Sequence, residues 1–300
     1  MTARGLMDAG ETPRYSVIVP SRTGHVDVLV AGLRQQSLTG WEFIVQRGIS
    51  PPAKARNLGA ARARGEVLLF LDDDIRLGQR DLLARLVDAL DAVDPRSVVG
   101  VGWRLPPEAS AFQRRLMQAS FARPPVEGHA PLPIAWHSLG ASCFAIRRRT
   151  FEALGGFDES LISGEDHELW YRLCRAGGLV YLLPTHWIYH APPATLRAAI
   201  RKTIWHERGN AQVARKHPTA RYRMALRGRG HAAAYLLVRT VALLALMVLK
   251  VSYRHRRPRL AWRPLAAILS YIGAWAYCVS WCAASSAAAK RAAADAGAGR

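Results

Sequence analysis

The chain is poor in carboxylates. Only 22 Asp and Glu stand against 42 Lys and Arg in 300 residues, a formal charge of +20. That deficit rules out an ordinary balanced surface and implies a polyanionic partner, whether nucleic acid, anionic lipid or a phosphorylated substrate. The carboxylates it has lie mostly between Glu66 and Glu168, and the stretch after Arg197 is almost purely basic. Cysteine is scarce as well. Cys143, Cys174, Cys278 and Cys282 form no CxxC pair and no Cys/His zinc spacing, so they read as reduced thiols, cytosolic or membrane-buried. Residues 1–14 lack the apolar core of a secretion signal, so the folded part is expected to face the cytosol. No Gly/Ser/Pro tract is long enough for wholesale disorder, and with half the residues apolar a sizeable core is possible.

What is present alternates in character. Residues 15–20 (YSVIVP) form a short apolar run rich in β-branched residues and ended by proline, the pattern of a buried parallel strand. Residues 41–45, 67–71, 98–103, 142–146 and 179–183 read as further strands. Segments 26–36, 53–64, 81–93, 109–121 and 166–176 read as helices, and Gly177 stands where a helix C-terminus wants it. Strands alternating with helices imply an α/β fold, a parallel sheet with helices on its faces. Residues 123–136, with Pro124, Pro125, Pro131 and Pro133, read as a loop.

Composition shifts near Gly230. Residues 232–249 are apolar except for Arg239, and 264–289 carry no charge while holding Tyr271, Trp275, Tyr277 and Trp281. Both segments are long enough to cross or enter a bilayer. Arg239 would have to pair, snorkel or line a polar cavity. Between the segments lie Lys250, Arg254, Arg256, Arg257, Arg259 and Arg263. Two full spans would place this basic loop on the far side from a cytosolic domain, against the positive-inside tendency. A re-entrant or interfacial helical pair, its basic loop on anionic headgroups, resolves the conflict. Thr195 to Lys216 interleaves Arg197, Arg201, Lys202, Arg208, Arg215 and Lys216 with apolar residues, as in an amphipathic surface helix or a basic edge that grips phosphate.

Two motifs carry chemistry. Asp72-Asp73-Asp74 follows the strand 67–71, and ligands of open α/β sheets bind at the carboxyl ends of strands. Three adjacent carboxylates repel one another, and a hard divalent cation such as Mg²⁺ or Mn²⁺, accompanied by substrate phosphates, would relieve this. Helix capping by Asp73 or Asp74 is the simpler alternative. The second motif is Gly155-Gly156-Phe157-Asp158-Glu159, followed by Gly164-Glu165-Asp166-His167-Glu168-Leu169 and Arg172. Glu165 and Asp166 open a helix, where the macrodipole favours negative charge. A carboxylate on a rigid helix start is also a suitable general base.

Together with YSVIVP, the Gln36-Ser37 turn before WEFIV, Ala55-Arg56-Asn57-Leu58-Gly59, Ala63 and Gly65-Glu66, these motifs resemble glycosyltransferase family 2 across roughly residues 14–217. The resemblance implies a GT-A fold, a Rossmann-like, mostly parallel sheet, and an inverting, metal-dependent sugar transfer from a nucleotide-sugar. It places Pro20, Ser21, Arg22, Arg56, Asn57, Asp72 and Asp73 on the nucleotide-sugar, and Asp72, Asp74 and His190 on Mn²⁺ or Mg²⁺. It makes Asp166 the catalytic base and puts Gly140, Ala141 and Glu165 on the acceptor and sugar side. One departure stands out: relatives carry an acidic residue after the second strand, where the base binds, and this chain has Gln46-Arg47-Gly48-Ile49-Ser50.

The expected organisation is a disordered 1–13, a catalytic domain 14–230, a membrane-associated helical pair with its basic loop at 231–290, and a disordered 291–300. The expected partners are a nucleotide-sugar, a lipid-linked or cell-envelope glycan acceptor and anionic lipid, with the domain on the cytosolic face of the cytoplasmic membrane. Two other readings compete. A sugar-phosphate nucleotidyltransferase would want a Gly-rich, basic loop after the first strand, and Pro20-Ser21-Arg22-Thr23-Gly24 has one glycine. A non-catalytic basic protein on membrane or nucleic acid accounts for the charge but not for the acidic motifs. The sequence has no aromatic platform for stacking bases, so no nucleic acid is expected.

Overall fold

The computed structural model describes residues 12–120, 130–220, 226–253 and 267–283. The expected disordered ends and the basic residues Arg254 to Arg263 lie outside these, apart from 12 and 13. The chain divides into two compact units, Met1–Glu108 with Pro124–Ala191, and Ala109–Arg123 with Pro192–Arg300. The break at Ala191/Pro192 falls well before the composition shift near Gly230.

The first unit is built on strands β1 (Tyr15–Ser21), β2 (Trp41–Arg47), β3 (Val67–Leu71), β4 (Ile75–Leu77), β5 (Val98–Arg104), β6 (Leu132–Ile134), β7 (Cys143–Arg147) and β8 (Val180–His190). Their order is β2-β1-β3-β7-β5-β8-β4, with β6 also on β8. β2, β1 and β3 pair in parallel, and so do β5 and β8; β7 runs antiparallel between β3 and β5. β4 and β6 run antiparallel to β8. The sheet is therefore mixed, with its five parallel-sense strands interrupted by β7.

Both faces are covered, which is why these strands read as continuous apolar runs. One face carries Val17, Val19, Leu69 and Leu71 against Leu29 and Leu33 of α1 (Asp27–Leu33) and Leu82, Leu83, Leu86 and Leu90 of α3 (Leu82–Asp91). The other carries Ile18, Leu68, Phe70, Phe144 and Ile146 against α2 (Pro52–Arg62), α5 (Arg148–Ala153) and α6 (Glu165–Arg175). Phe70 sits among Phe144, Phe151 and Phe157 at 4.9–5.5 Å between centroids. Adjacent strand residues alternate faces, so Leu69 and Phe70 serve opposite cores.

The second unit contains α4 (Ala111–Ser120), α7 (Leu196–Lys216), α8 (Arg229–Tyr253) and a helix at 267–283. Thr195 caps α7 by accepting from the Ala198 N–H at 3.2 Å. α8 and the helix at 267–283 are tied by Thr240 Oγ1 to Tyr271 Oη at 2.9 Å and by Arg239 to Ser270 Oγ. Of the three fates open to Arg239, pairing is the one seen, with Ser270. Among the described residues no helix is long and apolar enough to cross a membrane.

The turn after α5 runs through two left-handed glycines, Gly155 and Gly156. Gly156 has φ +71°, and a Cβ there would lie 2.8 Å from Asn57 Oδ1. G156A is expected to cost about 1–3 kcal/mol from left-handed strain and crowding, read as a lower denaturant midpoint in equilibrium unfolding.

Candidate active site

The acidic motif lies between β3 and β4, at the carboxyl end of the sheet's central strands. Strand pairing sets its far side: Ile75 is in register with His190, so Asp74, one residue earlier, falls beside the end of β8. Asp74 Oδ2 and His190 Nε2 are 3.3 Å apart, and the His190 ring stands edge-on to Trp103 at 5.8 Å. Octahedral ligands at about 2.1 Å from a small cation lie about 3 Å from one another, so this pair fits two neighbouring positions on one ion. Among the described residues no group of three or more His, Cys, Asp or Glu is arranged to hold a metal. If a cation binds here, Asp74 would offer it a carboxylate oxygen and His190 an imidazole nitrogen, a donor set that suits Mn²⁺.

Asp73 points elsewhere. Ser21 Oγ, at the end of β1, donates to Asp73 Oδ2 at 2.6 Å and accepts from the Gly24 N–H at 2.8 Å. Burial raises the Asp73 carboxyl above its ordinary value; the Ser21 bond opposes this, while Asp74 and Asp72 add to it. Pro20 and Ser21 pair with Gln46 and Arg47 of β2, and Arg22 is exposed just beyond. Gln46 is buried, and its Nε2 has no hydrogen-bond partner.

Arg56, on α2, is 4% exposed and joins the two acidic motifs. It donates to Asp72 Oδ1 at 2.7 Å and to Glu165 Oε1 at 2.6 Å, and its guanidinium lies 5.5 Å from the Phe157 ring centroid. Asp72 therefore has one carboxylate oxygen committed to Arg56. Burial raises Glu165; Arg56 holds it down, and Asp166 pushes it up again. Asn57, the next residue, is committed to the Gly-Gly-Phe loop. Its Nδ2 donates to Phe157 O and Glu159 Oε1 at 2.8 and 2.9 Å, and its Oδ1 accepts from the Phe157 N–H at 2.9 Å.

Asp166 is in the first turn of α6, whose N-cap Gly164 adopts φ +78°. Its Oδ1 accepts from the His167 N–H at 2.8 Å, and its Oδ2 from the Ala141 N–H at 3.1 Å. Burial alone would raise this carboxyl. The neighbouring His167 ring, the His167 N–H, Arg56 and the Ala141 N–H outweigh that and hold it below the ordinary value, so it is ionised at neutral pH. Gly140 and Ala141 thus lie against Asp166, and Trp170 of the same helix donates to Leu139 O at 3.1 Å to fix their turn.

Arg172, named in the second motif without a role, closes that motif onto itself. It chelates Glu168, with Nε and Nη2 at 2.7–2.9 Å from its oxygens, and donates to Leu154 O and, at 2.7 Å, to Gly156 O. The Glu-to-Arg spacing of one helical turn was its visible signal.

A family model described as "Glycosyltransferase like family 2" matches residues 44–205. The chain belongs to this family. This family 2 chain is 29% identical over 171 residues to a pre-mycofactocin glycosyltransferase of Mycobacterium tuberculosis, an overlap of 56% of this chain and 36% of that protein. It is 32% identical over 157 residues to the O-antigen biosynthesis protein RfbC of Myxococcus xanthus, covering 47% of this chain and 12% of that one. The matches thus span about a third or less of these relatives' lengths. Among solved structures, the mannosyltransferase PcManGT from Pyrobaculum calidifontis, in complex with GDP-Man and Mn²⁺, shares the fold. The TM-score is 0.58 at 18% identity, over 88% of this chain and 86% of that one.

Replacing Arg56 by an apolar residue strands the buried Glu165 and removes a partner of the part-exposed Asp72. R56M is expected to lose about 3–5 kcal/mol near neutral pH. Glu165, already raised, would rise further. A raised carboxyl gives stability below its unfolded value that is lost as pH climbs through the folded one. R56M should therefore lie closest to wild type in acid and furthest from it at neutral pH, measured by urea unfolding across pH.

Proposed function

We propose that this protein is an inverting, metal-dependent glycosyltransferase that moves a sugar from a nucleotide-sugar to an acceptor hydroxyl of a glycan or lipid-linked glycan. The observation that carries the reading is the convergence, around Arg56, of a carboxylate cluster at the strand ends with the hydrogen-bonded carboxylate Asp166. Family membership and the shared fold support it.

In this reading Asp166 accepts the proton of the acceptor hydroxyl. The oxygen forms its bond to the anomeric carbon as the bond from that carbon to the diphosphate breaks. The electron pair leaves on the nucleotide diphosphate, and attack from the opposite face inverts the centre. Asp74 and His190 would hold Mn²⁺ or Mg²⁺, which supplies charge stabilisation for the leaving diphosphate. Asp72 and Asp73, with Pro20, Ser21 and Arg22, border the nucleotide, and Arg56 and Asn57 act from behind by fixing the acidic motif and the loop before α6. With its carboxyl held below the ordinary value, Asp166 is ionised at neutral pH and able to accept the proton.

D166N should reduce turnover by about 10²–10⁴-fold while leaving nucleotide-sugar binding in place, measured by steady-state kinetics beside donor titration. D74A and H190A should instead weaken donor binding in the presence of Mn²⁺; wild-type turnover in D166N or unchanged metal dependence in D74A would contradict these roles.

We also assign the protein to the cytosolic face of the cytoplasmic membrane, lying on rather than across it. Leu237, Val238, Val241 and Leu244 of α8 are 57–65% exposed and share one helical face. Trp275 and Val279, one turn apart, are also exposed. An apolar face on a strongly basic chain suits an anionic bilayer surface. The protein should co-sediment with phosphatidylglycerol vesicles and lose most of that binding when Leu237, Val241 and Leu244 are changed to Ser; equal binding by the triple variant would overturn the assignment.

A further inference from the structure

The β8 strand does not pair evenly along its length. Its first half pairs with β5 as far as Leu183 opposite Val101, and its second half resumes with Trp187 opposite Gly102. Pro184, Thr185 and His186 are looped out between, with no β5 residue to match them. A bulge of this kind bends a strand and re-aims the side chains beyond it. The re-aimed half is the one that sets Ile188 opposite Leu77 and His190 opposite Ile75, and so brings the His190 ring to 3.3 Å from Asp74. Side chains alternate across a sheet. A slip of one residue in this half would carry the His190 ring to the opposite face.

A single side chain just after β4 holds the bulge. Gln79 Nε2 donates to Thr185 O, and Gln79 Oε1 accepts from the Trp187 N–H, both at 3.2 Å. One amide thus takes a carbonyl and an N–H on either side of His186, as the backbone of a neighbouring strand would. Beside it the Gly78 N–H donates to Trp187 O at 3.0 Å, and a Cβ at Gly78 would lie 2.4 Å from that oxygen, so β8 approaches only because residue 78 has none. Gln79 is held in its turn. Its carbonyl accepts from Gln36 Nε2 at 2.8 Å, and Gln36 Oε1 accepts from the Leu83 N–H of α3 at 3.0 Å. The buried His186 ring reaches Asp81 Oδ1 at 3.3 Å. Among the described residues Gln79 makes no hydrogen bond to Asp74 or His190.

We propose that Gln79 is a positioning residue for a divalent cation: its amide clamps the β8 bulge in the register that presents the His190 imidazole beside Asp74, and through that ring it sets how tightly Mn²⁺ is held and how far Mn²⁺ is preferred over Mg²⁺. The inference rests on the reading of Asp74 and His190 as a cation pair given above. Mg²⁺ keeps to oxygen ligands, whereas an imidazole nitrogen suits Mn²⁺. With the clamp cut, Asp74 still offers its carboxylate at the head of β4, but the nitrogen is no longer held opposite it. The preference for Mn²⁺ then falls along with the affinity.

The test titrates Mn²⁺ into the full chain with UDP or GDP present, counting free Mn²⁺ by electron paramagnetic resonance, and obtains Mg²⁺ affinity by competition. Q79A should raise the Mn²⁺ Kd about tenfold and the Mg²⁺ Kd by no more than about twofold. Q79E keeps the acceptor for Trp187 but sets an oxygen against Thr185 O, so it should act as Q79A does and serves where Q79A is unfolded. The double variant Q79A/H190A should bind Mn²⁺ no more weakly than H190A alone, since Gln79 acts only through that ring. A residue that merely stabilised the fold would add its own loss. A folded Q79A or Q79E with wild-type Mn²⁺ Kd, or losses that add in the double variant, overturns the clamp and leaves the cation pair standing. Wild-type Mn²⁺ affinity in H190A, or no Mn²⁺ bound by the wild-type chain, overturns the pair and the clamp together.

Discussion

A buried guanidinium holds this site together. Arg56 takes two carboxylates that belong to different motifs, Asp72 after β3 and Glu165 at the head of α6, and is itself almost wholly out of water. Removing a charge from water costs several kcal/mol, and only close, well-aligned opposite charges offset it. Here the offset is mutual: Arg56 makes the burial of Glu165 tolerable, and the carboxylates raise Arg56's own hold on its proton. Its Nε remains buried without a partner, so the fit is incomplete on one side. Such an arrangement is weak as a source of net stability and strong as a specification of geometry. Two segments far apart in sequence can meet in one register only.

That geometry concentrates negative charge on an otherwise basic chain. Asp72, Asp73, Asp74, Glu165 and Asp166 gather where the parallel strands end. Ser21, Arg56 and two backbone N–H groups stabilise four of them, and Asp74 turns to His190 instead. A surplus of carboxylate at the mouth of a sheet is unfavourable unless a cation joins it. The same surplus would repel a nucleotide diphosphate, and in the proposed reaction a divalent cation held by Asp74 and His190 would offset that repulsion.

Much of this was legible in the sequence, and the parts that were not have a common cause. The strands β1, β3 and β7 stood out because both of their faces are buried, which leaves unbroken apolar runs. β4 and β6 went unseen because three residues are too few for any period to show, and β6 lies in what read as a proline-rich loop. β8 was cut short at Leu183 because Pro184, Thr185 and His186 interrupt its pattern, although its second half pairs with β4 and brings His190 to Asp74. Among the candidate site residues, Asp72, Asp74 and Asp166 stand in local motifs that the sequence displays. The work of Arg56 and Asn57 was not, because their partners lie 109 and 100 residues away. Gln46, where the resemblance leads one to expect an acid, is a buried amide whose Nε2 has no partner.

The central claim is that the carboxylate cluster and Asp166 serve one sugar transfer supported by a cation. The most direct measurement is release of free nucleotide from a panel of UDP-, GDP-, TDP- and CMP-sugars by the purified chain, with Mn²⁺, with Mg²⁺ and with chelator. The account expects release from one donor class that depends on the divalent cation, which also names the nucleotide. A folded protein that releases nucleotide from no donor, or equally well in chelator, would contradict it.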